Sequence, residues 1–535
     1  PFILGQMPLT MNKSLNTDKP SPSGGSNAIY GVDGSPVQHD MFFDNPHDVI
    51  GENWYTVLMV PYGRGGNGYS GLDVTDPEKP LHLFSIFNDK VNNKVYVMDY
   101  EGKVDDFEYM AKSYSLSQTS EAQKVTENYQ DDNSVSGSCD TTQNTSCYQS
   151  KSYKIENFPV NGLTASDITV EINGNPDKNF IVSNTSNVLN ITFGASVRYQ
   201  ANDKISPPSD NVGIFINPKS AAAGVQSPNT HYDYSQLGET WSAPRIIRIP
   251  NTGPGDKDVT DDIYVAVMGA GYGARYSGVG SGVFIINLQD TKLPGKLEKF
   301  VYIDDKEAIV SEDIVNSVPG DPLIINADNA KGFVNFKGAL VYINDLEGKI
   351  TKINLTNLEE TLLTLYDHYT MFDIQTTASQ GRLMFHSMDA AIGKETKNLW
   401  LFAGTGDYEN LTEKSTHKNV LLGISDETFP RFGKPVGSLS NPATVNDLTK
   451  CSDTTKDTTG VKCPHKLPAG TPKKVGWYIE LGDSKKVTAS PTVSGGIVYY
   501  PIFEPPPDSD KCGKGTATIC AVDDECGTNL SSLLG

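Results

Sequence analysis

Cysteine is the residue type in this chain with the most obvious chemistry, and its seven copies fall in three close sets. No set has the C-x-x-C spacing that supplies paired zinc ligands, so short-loop disulfides formed in an oxidising compartment are favoured. We expect Cys139 to pair with Cys147 across a short polar loop. Cys451 is expected to pair with Cys463 in the same way. One cysteine of the third set is then left over, and its partner could lie outside the chain; this set is Cys512, Cys520 and Cys526.

Two acidic spacings resemble parts of known cation sites, and neither is complete. Asp256, Asp258, Thr260 and Asp262 recur at a spacing of two, as in the first half of a calcium loop. The glycine and the bidentate glutamate that complete such a loop are missing, so a charged hairpin tip is favoured. The run 132–136 matches the D-x-S-x-S pattern of a metal-dependent adhesion site. It lacks the preceding buried strand, so a Ser-rich loop is favoured there, and we predict no metal ligand in either run.

The enzymatic alternative with some sequence support is a quinoprotein-like dehydrogenase. Residues 389–400 read DAAIGKETKNLW, which is faintly similar to the Gly-Lys…Trp docking words of those enzymes. However, Trp400 is too far from Gly393, the word occurs once, and a vicinal cysteine pair is missing. The chain also lacks G-x-S-x-G and H-E-x-x-H, and its eight histidines are scattered. We therefore expect no catalytic residue, no organic cofactor and no enzymatic activity.

The overall composition narrows the class of protein further. The 535 residues carry a net charge of −21, with 37% hydrophobic and 20% charged residues. Such an acidic chain lacks the basic surface that nucleic-acid binding needs and should be repelled by anionic membrane surfaces. No apolar run has the length of a membrane span. The composition is typical of a loop-rich extracellular β protein.

The elements that must position these residues are short strands in a repeating order. Between Leu237 and Leu288, three apolar runs of strand length are separated by turn residues. A Ser-x-Pro-like step opens this unit, and glycines end its second run. Repeated sheets of three or four strands predict an all-β β-propeller of roughly seven modified blades, with a β-sandwich as the alternative. The other copies of the order lie near residues 33–74, 317–355, 375–425 and 488–524.

The repeat predicts the domain organisation. Residues 1–90 form the first part of the propeller, and residues 237–535 form the remainder, with a loop insertion at 426–475. Residues 91–236 interrupt the repeat and are predicted to be a β-rich insertion or subdomain that is partly mobile. The tryptophans fall at strand positions, where we expect them to pack in the core or between blades. They are Trp54, Trp241, Trp400 and Trp477.

A set of sequence words in a fixed order carries a family resemblance. Together the words cover about two thirds of the chain and resemble the C-terminal propeller of the PilC/PilY family, type IV pilus tip proteins of Gram-negative bacteria. Each word alone is weak, and the ordered set is more specific; the insertion 91–236 matches none of it. The main words are VDGSPV at 32–37, WYTVLMVPYGRGGNGYSGLDVTDP at 54–77, LGETWSAPRIIRI at 237–249, VYINDLEGKITKINL at 341–355, LWLFAGTGDY at 399–408, GWYIEL at 476–481 and VTASPTVSGGIVYYPIFEPP at 487–506.

The resemblance implies a non-enzymatic extracellular protein at the pilus tip or outer cell surface. It implies roles in pilus biogenesis, in adhesion and in the control of retraction during twitching motility. The implied partners are minor pilins or the pilus tip complex, together with host-cell receptors or glycans. A lectin-like adhesion module that acts without a pilus is the alternative binding function.

The resemblance also implies a calcium loop just before the word VYINDLEG. Asn326 and Asp328 remain there as oxygen donors, but Ala330, Gly332 and Phe336 replace the later ligands. Calcium needs about six to eight oxygen ligands, several of them carboxylates. We therefore expect no tight calcium site in this loop, and chelation should leave the melting temperature nearly unchanged.

Overall fold

The computed structural model is all-β in the residues that it describes, as the sequence predicted. Its helical elements with defined bounds are the 3₁₀ turns Val445–Asp447 and Pro464–Lys466. Within the described residues no helix is long and apolar enough to cross a membrane. Between residues 109 and 230 the structure describes little beyond the strands given below. Elsewhere it describes residues 32–90, 94–108, 231–249, 262–273, 279–303, 316–326, 338–356, 365–374, 382–411, 418–432, 442–451, 463–467, 472–482, 484–507 and 513–531.

Sheet 1 has six strands, and each strand is hydrogen-bonded to the next in chain order. The strands are β1 (Val37–Asp44), β2 (Glu52–Pro61), β3 (Gly68–Asp73), β4 (Leu81–Asp89), β5 (Lys94–Met98) and β6 (Val104–Glu108). The predicted start of the insertion at residue 91 is therefore too early, because β5 pairs with β4 and β6 continues the same sheet.

The chain divides into two compact units. Unit 1 comprises Pro1–Asp106, Gln236–Asp304 and Glu312–Gly535, and unit 2 comprises Phe107–Ser235 and Asp305–Ser311. Unit 2 contains a sheet in the order β11-β10-β15-β7 and another in the order β12-β13-β9-β14, with β8 paired to β9. These strands are β7 (Tyr114–Ser115), β8 (Val125–Asp131), β9 (Ser146–Ile155), β10 (Ile168–Ile172), β11 (Asn175–Asp177), β12 (Phe180–Thr185), β13 (Val188–Phe193), β14 (Val197–Gln200) and β15 (Val212–Ile216).

Sheets 2 and 3 of unit 1 are built largely from antiparallel neighbours in chain order. Sheet 2 contains β16 (Arg245–Ile249), β17 (Ile263–Gly269), β18 (Gly282–Asn287) and β19 (Leu297–Tyr302). Sheet 3 contains β20 (Leu323–Asn326), β21 (Gly338–Asn344), β22 (Lys349–Thr356) and β23 (His368–Asp373).

Sheets 4 and 5 complete the described part of unit 1. Sheet 4 runs β24-β25-β26-β29-β28, and β27 (Ala443–Thr444) joins sheet 3 by parallel pairing with β23. The loop insertion predicted at 426–475 thus supplies outer strands to two sheets. The strands of sheet 4 are β24 (Asp389–Ile392), β25 (Leu399–Gly404), β26 (Val420–Asp426), β28 (Leu448–Cys451) and β29 (Gly476–Glu480). Those of sheet 5 are β30 (Lys486–Val487), β31 (Thr492–Ser494), β32 (Ile497–Glu504) and β33 (Thr516–Asp523).

The central strands of unit 1 are buried on both faces. All positions of β17, β18, β21 and β25 are buried, and these strands are apolar runs without polar alternation, apart from the asparagine that ends β18 and β21. Strands of neighbouring sheets are in contact: β1 with β16, β16 with β21, which is the second strand of sheet 3, and β24 with β31. Successive meandering sheets that contact one another in this way are the arrangement of a β-propeller. The blade number of seven stays a prediction.

The Ser-x-Pro-like steps join one sheet to the next. The Ser242 carbonyl accepts a hydrogen bond from the Tyr69 hydroxyl at 3.0 Å, and its Oγ accepts one from Gly269 N at 2.9 Å. Ser317 Oγ donates to the Gly271 carbonyl at 2.6 Å. Both serines are fully buried. A small hydroxyl side chain at each step therefore satisfies backbone groups where two sheets meet.

A buried ion pair joins sheets 3 and 4. Lys352 on β22 and Asp426 at the end of β26 are 2.6 Å apart, and both side chains have 0% exposure. Lys352 Nζ also donates to Thr428 Oγ1 at 3.0 Å and to the Arg431 carbonyl at 2.8 Å. Asp426 Oδ2 accepts a further hydrogen bond from the Tyr342 hydroxyl at 2.7 Å. The charges are buried but well provided with hydrogen bonds.

Candidate functional site

A pocket of about 330 Å³ lies among the opening strands of sheets 1, 2 and 3. Its walls come from β1, from β16, from the end of β20 and from the start of β21. Ile246, Ile247 and Ile324 supply apolar lining, and Arg245 and Arg248 supply positive charge. The pocket exists because the opening strands of adjacent sheets approach one another at this place. It is a concave site whose wall mixes apolar side chains with polar and charged ones, so a ligand could both bury apolar surface and form hydrogen bonds there.

Both arginines of the pocket lie near carboxylates that belong to unit 1. Arg245 Nη2 is 3.7 Å from Asp321 Oδ2, and Arg248 Nη2 is 3.8 Å from Asp262 Oδ2. Burial raises the pKa of Asp321, while the Ala243 N–H and the Arg245 guanidinium oppose that rise. The side chains of Arg245 and Arg248 are 49% and 36% exposed. In a chain of net charge −21, the pocket therefore presents cationic groups that can donate hydrogen bonds to an acidic ligand group.

The pocket also includes Asn326, which lies at the end of β20. This asparagine is the one residue of the calcium-loop positions discussed above that the structure describes, because residues 327–337 lie outside the described residues. The expectation that the loop does not bind calcium tightly therefore stays a prediction.

A buried acidic network underlies the turn between β21 and β22. Asn316 Nδ2 donates to Asp345 Oδ2 at 3.0 Å and to Glu347 Oε2 at 2.6 Å. Lys349 Nζ is 2.7 Å from Glu347 Oε2, and the Lys349 N–H donates to Asp345 Oδ1 at 3.0 Å. Burial raises the pKa of Asp345 to about 7, although the Lys349 charge and these hydrogen bonds pull it down. The network fixes the turn within the family word VYINDLEG and gives it a group that titrates near neutrality.

The cysteine pairing in sheets 4 and 5 differs from the predicted one. The structure joins Cys463 to Cys526, with a Cα–Cα distance of 4.4 Å, and does not join Cys463 to Cys451. Cys451 ends β28, where it is buried and its Sγ lies 3.2 Å from the Cys526 carbonyl oxygen. The prediction fails because packing of the turn after β33 brings Cys526 against Cys463, across a sequence separation of 63. Cys139 lies outside the described residues, so its pairing with Cys147 stays a prediction.

His465 lies beside this disulfide at the 3₁₀ turn after Cys463. Its Nδ1 is 3.6 Å from Cys463 Sγ, and its Nε2 is 2.9 Å from Glu395 Oε2. Lys466 Nζ also contacts the Glu395 carboxylate at 2.6 Å. The hydrogen bonds from Lys466 and His465 lower the pKa of Glu395 to about 2. The two sulfurs and a histidine nitrogen thus meet within 4.8 Å of one another, next to an ionised carboxylate.

Glu525 gives the segment 389–400 a structural role. Its carboxylate accepts hydrogen bonds from the N–H groups of Glu395 and Thr396 at 2.7 and 2.8 Å and from Thr396 Oγ1 at 2.6 Å. Thr396 Oγ1 in turn accepts the indole N–H of Trp400 at 2.9 Å. A Cβ at Gly393 would lie 2.3 Å from Glu525 Oε1, so a side chain there would require the Glu525 carboxylate to move. In the described structure, the word that is faintly similar to a quinoprotein docking motif forms a tight hairpin turn held by a carboxylate.

Most residues of the other two candidate cation runs lie outside the part of the chain that the structure describes. Asp256, Asp258 and the run 132–136 lie outside the described residues. Asp262 is described and is the buried neighbour of Arg248. The prediction that these runs hold no metal is thus neither supported nor contradicted.

The tryptophan prediction is right for three residues and wrong for one. Trp400 and Trp477 are 1% and 0% exposed and pack in the core of sheets 4 and 5. Trp241 stacks on Tyr272 with ring centroids 4.6 Å apart, near the junction of the sheets. Trp54 is 60% exposed on β2, because its position in the register with β1 directs it away from the core. Alternation along a strand does not by itself show which face is covered.

The described residues thus define a class of protein: an all-β scaffold of consecutive antiparallel sheets with a cationic pocket between opening strands. No family model matches the chain. A stretch of 63 residues, 12% of this chain, is 44% identical to the type IV pilus biogenesis factor PilY1 of Pseudomonas aeruginosa strain PAO1, and the PilY1 of strain PAK matches equally. The resemblance to the PilC/PilY family is thereby confirmed.

The matched stretch is a small part of these relatives. It spans 5% of the length of each curated PilY1 protein. Among solved structures, the C-terminal domain of Pseudomonas aeruginosa PilY1 aligns with a TM-score of 0.47 and 14% sequence identity. That alignment covers 94% of this chain and 71% of the solved chain.

Proposed function

We propose that this chain is an extracellular, non-enzymatic component of a type IV pilus system, which acts at the pilus tip or outer surface of a Gram-negative bacterium. Its work is to bind other proteins during pilus assembly, adhesion and the control of retraction. The partners that we propose are minor pilins or the pilus tip complex, with host-cell receptors or glycans as further ligands. The observation that carries this proposal is the 44% identity to a type IV pilus biogenesis factor over 63 residues.

The scaffold suits this role because large apolar side chains lie exposed on its surface and do not pack in the core. Phe42 and Trp54 face each other across β1 and β2 with ring centroids 5.6 Å apart, and they are 41% and 60% exposed. Val49 and Ile50, in the connection between the two strands, are also exposed. Exposed aromatic side chains are enriched in protein interfaces, where they bury much area at little entropic cost.

The proposal is tested by co-sedimentation of the purified chain with type IV pili that carry minor pilins. We expect saturable binding that soluble minor pilins compete away. A chain that binds neither whole pili nor isolated minor pilins would contradict the proposal.

A matched pair of variants locates the contact. Phe42→Ala/Trp54→Ala removes the exposed aromatic pair, and Ile519→Ala removes an equally exposed apolar side chain on sheet 5, 57% exposed. We expect the first variant to bind pili more weakly and the second to bind as the parent does. If both variants bind pili equally well, the aromatic pair is not the contact. The pilus assignment itself is then still decided by whether the parent chain binds.

Two other functions have distinct tests. A quinoprotein-like dehydrogenase would reduce a dye in a quinone-dependent reaction, and reproducible turnover would replace the binding function with an enzymatic one. A pilus-independent lectin-like module would bind a glycan array while its pilin capture stays empty. The tight hairpin at 389–400 gives the first of these no support, because Glu525 occupies the backbone donors of its turn.

A further inference from the structure

Three ligand-type side chains meet at the junction of sheets 4 and 5, where the proposed pilus function gives them no role. The sulfurs of Cys463 and Cys526 and a nitrogen of His465 lie within 4.8 Å of one another. Both cysteines are part of the disulfide in the structure. Thiolate and imidazole are the ligands that Zn²⁺ and other borderline or soft cations prefer. We propose that the reduced forms of Cys463 and Cys526, together with His465, constitute a binding site for such a cation.

The disulfide and the metal site are alternative states of the same two cysteines. A phosphine reductant attacks one sulfur and breaks the S–S bond; water then supplies the oxygen of the phosphine oxide and the two protons of the thiols. Zn²⁺ binding displaces one proton from each thiol, so the ion is held by two thiolates and one neutral imidazole. Water completes the four ligands of a tetrahedral ion.

The histidine already lies beside the cysteine pair, with Nδ1 and Nε2 3.6 and 3.8 Å from Cys463 Sγ, so a turn of the ring would aim Nδ1 at an ion bound by the sulfurs. Its Nε2 is held by the Glu395 carboxylate at 2.9 Å, while Nδ1 lies 3.6 Å from Cys463 Sγ. Lys466 Nζ holds the same carboxylate at 2.6 Å. A carboxylate bound to the second nitrogen of a ligand histidine fixes its ring and increases its basicity. Glu395 would therefore act as the hydrogen-bond partner that holds the ligand histidine in place.

The backbone around both cysteines is held without the S–S bond. The Lys466 N–H donates to the Cys463 carbonyl at 3.0 Å, which closes the 3₁₀ turn that presents His465. The Cys526 N–H donates to Asp523 Oδ1 at 2.8 Å. A Cβ at Gly527 would lie 2.6 Å from the Trp477 ring, so the turn after Cys526 packs directly on the core. Reduction therefore leaves the ligands close together, and little ordering is needed for binding.

The test is a Co²⁺ titration of the full chain in its oxidised and phosphine-reduced forms. Co²⁺ replaces Zn²⁺ and reports thiolate ligation through charge-transfer absorption. We expect the reduced chain to show this absorption at one equivalent and to lose it when Zn²⁺ is added. The oxidised chain should show none. Absence of the absorption from a reduced chain that keeps its parent circular dichroism would overturn the proposal.

Variants assign the ligands without relying on a single change. Cys463→Ser/Cys526→Ser should abolish the absorption, whereas Cys520→Ser, outside the cluster, should leave it intact. Since removal of two cysteines can also disturb folding, Glu395→Gln provides a second measurement with both sulfurs present. We expect it to weaken Co²⁺ binding roughly 10- to 100-fold, the usual effect of losing a partner of a ligand histidine. Parent-like absorption in the Ser/Ser variant, or parent-like affinity in the Gln variant, would refute the site.

Discussion

The ion pair between Lys352 and Asp426 should be among the most sensitive points of the fold. We predict that Lys352→Met lowers the free energy of unfolding by about 3–5 kcal/mol, because it leaves a carboxylate without its counter-charge in a fully buried place. Methionine fills a similar volume, so the loss is mainly electrostatic. Among the described residues, the donors that then remain to Asp426 are neutral: the Tyr342 hydroxyl at 2.7 Å, and the N–H and hydroxyl of Thr428 at 2.9 and 2.7 Å. The measurement is urea unfolding followed by the fluorescence of the buried tryptophans.

The matched control is a surface ion pair on sheet 4, the sheet that holds Asp426. Lys450 contacts Glu480 and is 57% exposed, so Lys450→Met should cost less than about 1 kcal/mol. Lys352→Met/Asp426→Asn removes both charges and should recover much of the loss, since a neutral amide needs no counter-charge. A Lys352→Met variant no less stable than Lys450→Met, or a double variant less stable than the single one, would refute this reasoning.

Three further results should follow from the structure. Peptide mapping of the non-reduced protein should recover Cys463 linked to Cys526; a peptide that links Cys463 to another cysteine would contradict the structure. The pKa of Asp345 is raised from 3.8 to about 7, so its contribution to stability is complete below about pH 4 and is lost as the pH rises through 7. Asp345→Asn should therefore flatten this part of the pH profile of stability, which is measured by unfolding across pH 4–8. An unchanged slope in the variant would contradict the assignment to Asp345. Phe42→Ala/Trp54→Ala should change the free energy of unfolding by no more than about 1.5 kcal/mol, because both rings are exposed; a larger loss in the same urea assay would mean that the pair supports the fold.

The repeated strands could be predicted because their pattern is local. The runs IYVAVMG and GVFIIN, read from the sequence as strands, are β17 and β18. Their side chains are buried on both faces, which requires continuous apolar runs, and the flanking turns require glycine or proline. Gly271, for example, has a φ of +91° and no room for a Cβ, which would lie 2.2 Å from the Glu239 carbonyl. Such constraints are visible in a single segment.

The sheet boundaries were harder to predict because pairing is not local. The run VYVMDYEGKVDDFEYM at 95–110 could be one hairpin by its sequence, and β5 and β6 do form in this part of the chain. What the sequence does not show is that β5 pairs with β4, which extends sheet 1 past the expected boundary. The same limit applies to Trp54: its apolar character favoured burial, but its register places it opposite Phe42 on an open face. Whether a strand lies at the edge of a sheet, and which of its faces is covered, depends on the strands that pack beside it.

The cysteine and histidine cluster is the clearest case of a site that spacing rules miss. Cys451 and Cys463 are neighbours in sequence, and a short closed loop was the natural expectation. In the structure, β28 pairs in parallel with β29, and the turn after β33 packs on Trp477. These two contacts, from separate parts of the chain, bring Cys526 to Cys463 and His465. Ligand-spacing motifs describe sites built from one or two loops, whereas here the ligands come together only when sheets 4 and 5 pack. The packing of the sheets, and not the local spacing, therefore determines both the disulfide and any metal that its cysteines can bind.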